Sequence, residues 1–216
     1  MADIDISLVK KLREMTGSGI VDVKKALQEC DGDMDKAMVW LREKGIASAD
    51  KRASKATAEG IVYSYIHGDR VGVLLEMNIE TDFAAKNERF RELAHEVAMQ
   101  IAAMNPQWVR REEVPADVIE RERSIARTQA ENEGKPEKVI EHIIDGRLNK
   151  FYEQTVLLDQ AYIKDDSKTI QELAKETQAV IGENMRIRRF ARFEVGEGLE
   201  KKVEDLAAEV QAELNK

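Results

Sequence analysis

Between Gly60 and Asn78 two strand-like runs flank a turn, and this stretch limits the fold more than any other. Ile61 to Ile66 and Val71 to Asn78 read as strands on either side of a His67-Gly68-Asp69-Arg70 turn, with Val71, Val73, Leu75 and Met77 on one face of the second. A strand pair with one apolar face needs a cover. Helical patterns supply it. Phe90, Leu93, Ala94, Val97, Ala98 and Ile101 repeat at helical spacing, after Asn87 as N-cap and before Pro106. Residues 116–132 and 136–152 predict two more amphipathic helices, with Pro136 at a first helical position. Ser167 or Thr169 caps another, carrying Ile170, Leu173, Ala174 and Val180. Met185 to Val195 alternates again. Met185, Ile187, Ala191, Phe193 and Val195 fall on one side and Arg186, Arg188, Arg192 and Glu194 on the other, with Arg189 and Phe190 out of phase. A closing helix is expected from about Lys202. The pattern predicts an α+β domain, a small, mostly antiparallel sheet with helices on one face.

Residues 1–45 predict three short helices. Ile6, Leu8, Val9, Leu12 and Met15 mark the first, stopped by Thr16-Gly17-Ser18-Gly19. Ile20, Val23, Ala26 and Leu27 mark the second, stopped by Asp31-Gly32-Asp33. Ala37, Met38 and Leu41 mark the third, which ends at Gly45. So small a module buries little surface by itself. Residues 46–59, small and basic beyond Ile46, predict a flexible, partly helical linker, leaving 60–216 as the α+β core domain.

Composition narrows the function. Apolar residues at 43 % and charged residues at 35 % suit a folded, well-solvated chain. No apolar run approaches the roughly 20 residues that span a bilayer. The acidic start Met1-Ala2-Asp3-Ile4-Asp5 lacks the pattern of a signal peptide, so a cytoplasmic location is expected. Cys30 is the only cysteine, which excludes an intrachain disulfide and a thiolate zinc cluster. A formal charge of −8 opposes phosphate backbones. Arg186, Arg188 and Arg192 on one strand face are the candidate RNA contact. Apart from Phe190, that face has none of the interleaved aromatics of a stacking platform, so no direct nucleic-acid binding is expected.

Gly17-Ser18-Gly19 and Gly196-Glu197-Gly198 lack phosphate-loop spacing. His95-Glu96 is followed by Met99 where a zinc-binding helix needs a second histidine. No Gly-x-Ser-x-Gly elbow occurs, and Cys30 has no histidine near it in sequence. Neither an enzyme nor a resident metal or cofactor is expected.

Thr81-Asp82-Phe83-Ala84-Ala85-Lys86-Asn87 follows the second strand. On pattern alone it is a capped helical turn with Phe83 folded onto the core. Three segments, however, resemble the translation elongation factor Ts family. Leu8 to Leu27, with Met15-Thr16-Gly17-Ser18-Gly19-Ile20 at its centre, is similar to that family's ubiquitin-associated-like module. Thr81-Asp82-Phe83-Ala84-Ala85-Lys86 resembles its T-D-F-V-A-K motif, with Ala84 for the usual valine. Arg192-Phe193-Glu194-Val195-Gly196-Glu197-Gly198 resembles its closing R-F-E-V-G-E-G.

The resemblance implies a guanine-nucleotide exchange factor for elongation factor Tu with its GDP or GTP and Mg²⁺. Phe83 would act as an exposed wedge, and Thr81, Asp82 and Ala84 would complete the segment that disturbs the Mg²⁺/phosphate site. Ile20, Val21 and Lys24 would dock on the partner, as would His67 within Ser64-Tyr65-Ile66-His67-Gly68 and the turn Ile181-Gly182-Glu183-Asn184. The single sheet region resembles the family's short form, which implies a homodimer with Met185 to Val195 or its flanking helices near the interface. The alternative function is a ubiquitin-associated-type adaptor, in which residues 1–45 bind a ligand of their own.

Overall fold

The computed structural model describes residues 5–52 and 54–199; the helix expected from Lys202 lies outside them. α1 (Ile6–Thr16), α2 (Ile20–Glu29) and α3 (Met34–Arg52) close around Val9, Leu12, Val23, Ala26, Leu27, Ala37 and Leu41. The Asp5 carboxylate accepts from the Ser7 N–H to start α1, and Gly17 ends it with φ 67°, in the left-handed region glycine favours.

α3 does not stop at Gly45 but runs on to Arg52, into the expected linker. Alanine, lysine and arginine are good helix formers, and one interior glycine costs only about 1 kcal/mol. Gly45 marks a packing contact instead. A Cβ built there would lie 2.5 Å from the Cβ of Ala179, in α8 (Ile170–Ile181). Arg42 pairs with Glu176 of the same helix at 2.9 Å. The three-helix module therefore rests on the core through α3 and α8.

The core sheet has the order β1-β2-β5, from β1 (Glu59–His67), β2 (Val71–Ile79) and β5 (Met185–Glu194), antiparallel throughout. Arg70 N–H donates to the His67 carbonyl at 3.0 Å and closes the expected hairpin. Val73, Leu75, Met77 and Ile79 point inward against α5 (Glu88–Met104), where Phe90, Leu93, Val97 and Ile101 meet them. Asn87 caps α5, and Thr169 caps α8 with a capping box completed by Glu172. The α+β architecture and the antiparallel sheet are as expected.

β5 departs from its expected alternation. Met77 opposes Ile187 but Glu76 opposes Arg189, so Arg188 is an extra residue, a β-bulge. Arg188 and Arg189 both reach the Glu76 carboxylate at 2.7 Å. One extra residue reverses every later side chain. Met185 and Ile187 are buried, but beyond the bulge Phe190 packs on the core and Phe193 and Val195 are exposed. Arg192 turns inward and donates to the Ala102 carbonyl at the end of α5. Arg186, Arg188 and Arg192 thus form no common face.

α6 (Ala116–Asn132) and α7 (Glu137–Thr155) make a helical hairpin whose seam is Ala126, Ala130, Ile140, Ile144 and Leu148. Pro136 stands at its N-cap, one residue earlier than expected. The ribbon of β3 (Ala161–Tyr162) and β4 (Asp165–Thr169) has no counterpart in the sequence reading. Buried Gln100 holds it to α5, donating to the Ala161 carbonyl and accepting from the Ile163 N–H.

Candidate partner-binding site

β2 ends at the buried Ile79, and two residues later the chain enters the single turn α4 (Asp82–Ala85). Thr81 caps it, its hydroxyl accepting from the Ala84 N–H at 3.2 Å. Ala84 and Ala85 are buried in the core cluster, so the turn is fixed from below. Asn87 fixes the far side by capping α5. With the inward positions taken by alanines, Phe83 points away and is 83 % exposed. The reading from pattern alone, a phenylalanine folded onto the core, is overturned: Ala84 and Ala85 take the inward positions of the turn. Asp82 also faces solvent, and its 3.2 Å pair with Lys86 is exposed on both sides and adds little.

The turn has a distant partner. The Glu183 carboxylate accepts from the Thr81 N–H at 3.1 Å and from the Thr81 hydroxyl at 2.9 Å. Glu183 lies just past Gly182, which ends α8 in the left-handed conformation with φ 81°. Next to it, Asn184 is 7 % exposed. Its N–H donates to Glu80, and its amide donates to the Lys55 carbonyl. The Ile181-Gly182 turn and the Thr81-Asp82-Phe83 turn are thus one surface. Sequence gave no sign of the Thr81–Glu183 contact, which joins residues 102 apart.

The helix start at Ile20 lies at the same end of the molecule. Gly17 abuts Arg89 and Val180, the first near Asn87 and the second near Glu183. Ile20 is 50 % and Val21 74 % exposed, and Lys24 is exposed too. Val23, Ala26 and Leu27 take the buried side of α2, which leaves Ile20 and Val21 outside.

His67 is not brought to this surface. It lies at the other end of β1, a nine-residue strand, roughly 26 Å from the residues opposite Ile79. There its ring nitrogen meets the Tyr65 hydroxyl at 2.9 Å. Among the described residues no group of three or more histidine, cysteine or acidic side chains has the arrangement of a metal site, and no helix is long and apolar enough to cross a membrane.

An exposed phenylalanine on a doubly anchored turn, with apolar side chains at a neighbouring helix start, forms an apolar surface of the kind that interaction sites present. The sequence matches the family model described as Elongation factor TS over residues 28–197. It is 58 % identical over 215 residues to elongation factor Ts of Desulforamulus reducens, covering 99 % of both chains. Identity to the Acetivibrio thermocellus protein of the same name is 54 % over 213 residues, 98 % of this chain and 99 % of the other. The Geobacter sulfurreducens protein is 53 % identical over 210 residues, 97 % of each. The chain belongs to the elongation factor Ts family.

Proposed function

We propose that the chain is a guanine-nucleotide exchange factor for elongation factor Tu, acting in the cytoplasm during translation elongation. It binds Tu·GDP, inserts Phe83 beside the nucleotide site, and with Asp82 disturbs the region that positions Mg²⁺. Loss of that ion removes the main neutralising charge at the phosphates, so GDP leaves faster. Coupling between two ligands is reciprocal, so nucleotide weakens binding of the factor as much as the factor weakens nucleotide, and incoming GTP can expel it. No bond is made or broken, and the factor needs no cofactor.

The observation that carries this reading is the 83 % exposure of Phe83 on a turn anchored at both ends. A large apolar side chain held away from its own core is suited to another protein's. Ile20, Val21 and Lys24 on the module of residues 1–45 would make the second contact, with Ile181 and Gly182 beside the wedge and His67 as an outlying one. The factor would work as a homodimer, paired through the sheet of the core domain.

Release of a fluorescent GDP analogue from elongation factor Tu, followed with and without the chain, tests the reading. Accelerated release is expected; a rate unchanged at saturating chain would sink it.

A further inference from the structure

We infer that Glu183 is a positioning residue for the Phe83 turn, its carboxylate fixing the Thr81 hydroxyl and through it the helical turn that carries the phenylalanine. This rests on the exchange reading for its functional consequence, but its structural part stands without it.

Phe83, 83 % exposed, has little packing of its own to set its direction, which must come from the backbone of α4. The burial of Ala84 and Ala85 holds that backbone from below, and Thr81 holds its first turn through the cap. A threonine hydroxyl has one proton to give and lone pairs to accept with. Here the proton goes to Glu183 at 2.9 Å, which turns a lone pair toward the Ala84 N–H at 3.2 Å. The same carboxylate takes the Thr81 N–H at 3.1 Å. Charged acceptors make the stronger hydrogen bonds, and a hydroxyl that donates to one becomes a better-oriented acceptor. Without Glu183 the hydroxyl is free to rotate away from the Ala84 N–H, and the start of the turn keeps only the burial of Ala84 and Ala85 and the Ala85 N–H bond to the Thr81 carbonyl.

Glu183 is in turn well held. The residue before it ends α8, and the residue after it is bonded to Glu80 and Lys55 and begins the run into β5 at the buried Met185. A carboxylate on so fixed a backbone can impose its position on Thr81. The rival role for Glu183 is direct contact with the partner, and the two make different predictions for paired substitutions.

The test uses the full chain with Glu183→Ala, Thr81→Val and both together. In the free protein, faster amide hydrogen exchange at Ala84 and Ala85 is expected in each variant. In GDP release, the maximal rate at saturating factor is expected to fall about tenfold in each single variant, the loss of roughly one charge-assisted hydrogen bond. The factor concentration giving half-maximal release should change less, since docking through α2 is untouched. The double variant should be no worse than either single one. Unchanged amide exchange at Ala84 and Ala85, or additive losses in the double variant, would overturn the inference. If the parent chain does not accelerate release, the exchange reading fails, and amide exchange alone decides whether Glu183 positions the turn.

Discussion

Gly45 of α3 lies against Ala179 of α8 so closely that a Cβ on the glycine would sit 2.5 Å from the alanine Cβ. Two effects oppose each other in Gly45→Ala. Helix propensity favours alanine by about 1 kcal/mol. Forcing two methyl groups together between packed helices costs about 1–3 kcal/mol. The clash wins while the module is docked, and propensity wins once it leaves. Gly45→Ala is therefore expected to loosen the three-helix module from α8 while keeping α3 helical. Faster amide exchange along the facing side of α8 would show it, and Ala179→Gly in the same chain should reverse it. An undisturbed contact in the single variant would mean that the two helices are not held this close.

Phe83→Ala separates folding from function. The side chain is 83 % exposed, so its removal should leave the thermal midpoint of the chain nearly unchanged. If Phe83 is the wedge, it is a hot spot in the complex, where truncation costs about 2 kcal/mol or more, about 30-fold in rate or affinity. GDP release from elongation factor Tu should fall by at least that much. A normal release rate with a normal midpoint would remove Phe83 from the mechanism.

Much of this fold is legible in residue spacing, because helices and strands with one buried face announce their period. α5 and the inward row of β2 follow from it, and of the two caps it leaves open for α8, Ser167 and Thr169, the structure has Thr169. The failures have local physical causes. Gly45 looks like a helix end because glycine usually ends helices, yet its lack of a side chain is what α8 requires. Arg189 and Phe190 look like two exceptions in β5, but a single extra residue, Arg188, accounts for both. Phe83 is apolar, and apolarity alone says core; the buried Ala84 and Ala85 beside it are what push it out. Glu183 could not be found by spacing at all, since its role depends on a partner 102 residues away.

Glu76 offers a pH test of the bulge. Hydrogen bonds from Arg189 and then Arg188 hold its carboxyl below the usual glutamate range, outweighing an upward push from desolvation. A folded pKa below the unfolded one means that the unfolded chain binds the proton more readily. The stabilisation is therefore present above the ordinary value and is lost as pH falls through the lowered one. Glu76→Gln should remove this part of the acid-side loss, so that the stability difference between parent and variant shrinks toward low pH. Denaturant unfolding from neutral pH down to about pH 3 would measure it. A difference that stays constant across that range, or a Glu76 carboxyl titrating normally by NMR, would contradict the pairing.

The face of the sheet opposite α5 carries the prediction about assembly. In the observed register Gly72 lies between Ile66 and Phe193, and Leu74 between Ser64 and Ala191. Val62, Ile66, Leu74 and Phe193 are 71, 63, 50 and 68 % exposed, an apolar surface that the alternation of the strands turns away from the core. The bulge is what adds Phe193 to it. Two copies related by a two-fold axis would each cover the other's patch, in the manner of a stable pair, which buries roughly 800 Å² per partner. Leu74→Asp and Phe193→Asp place charges on this surface without touching the core, so each should leave secondary structure intact and convert a dimer to a monomer. Light scattering on a sizing column at micromolar concentration distinguishes the outcomes. A monomeric parent would exclude the dimer, and a dimeric Phe193→Asp chain would move the interface to another face.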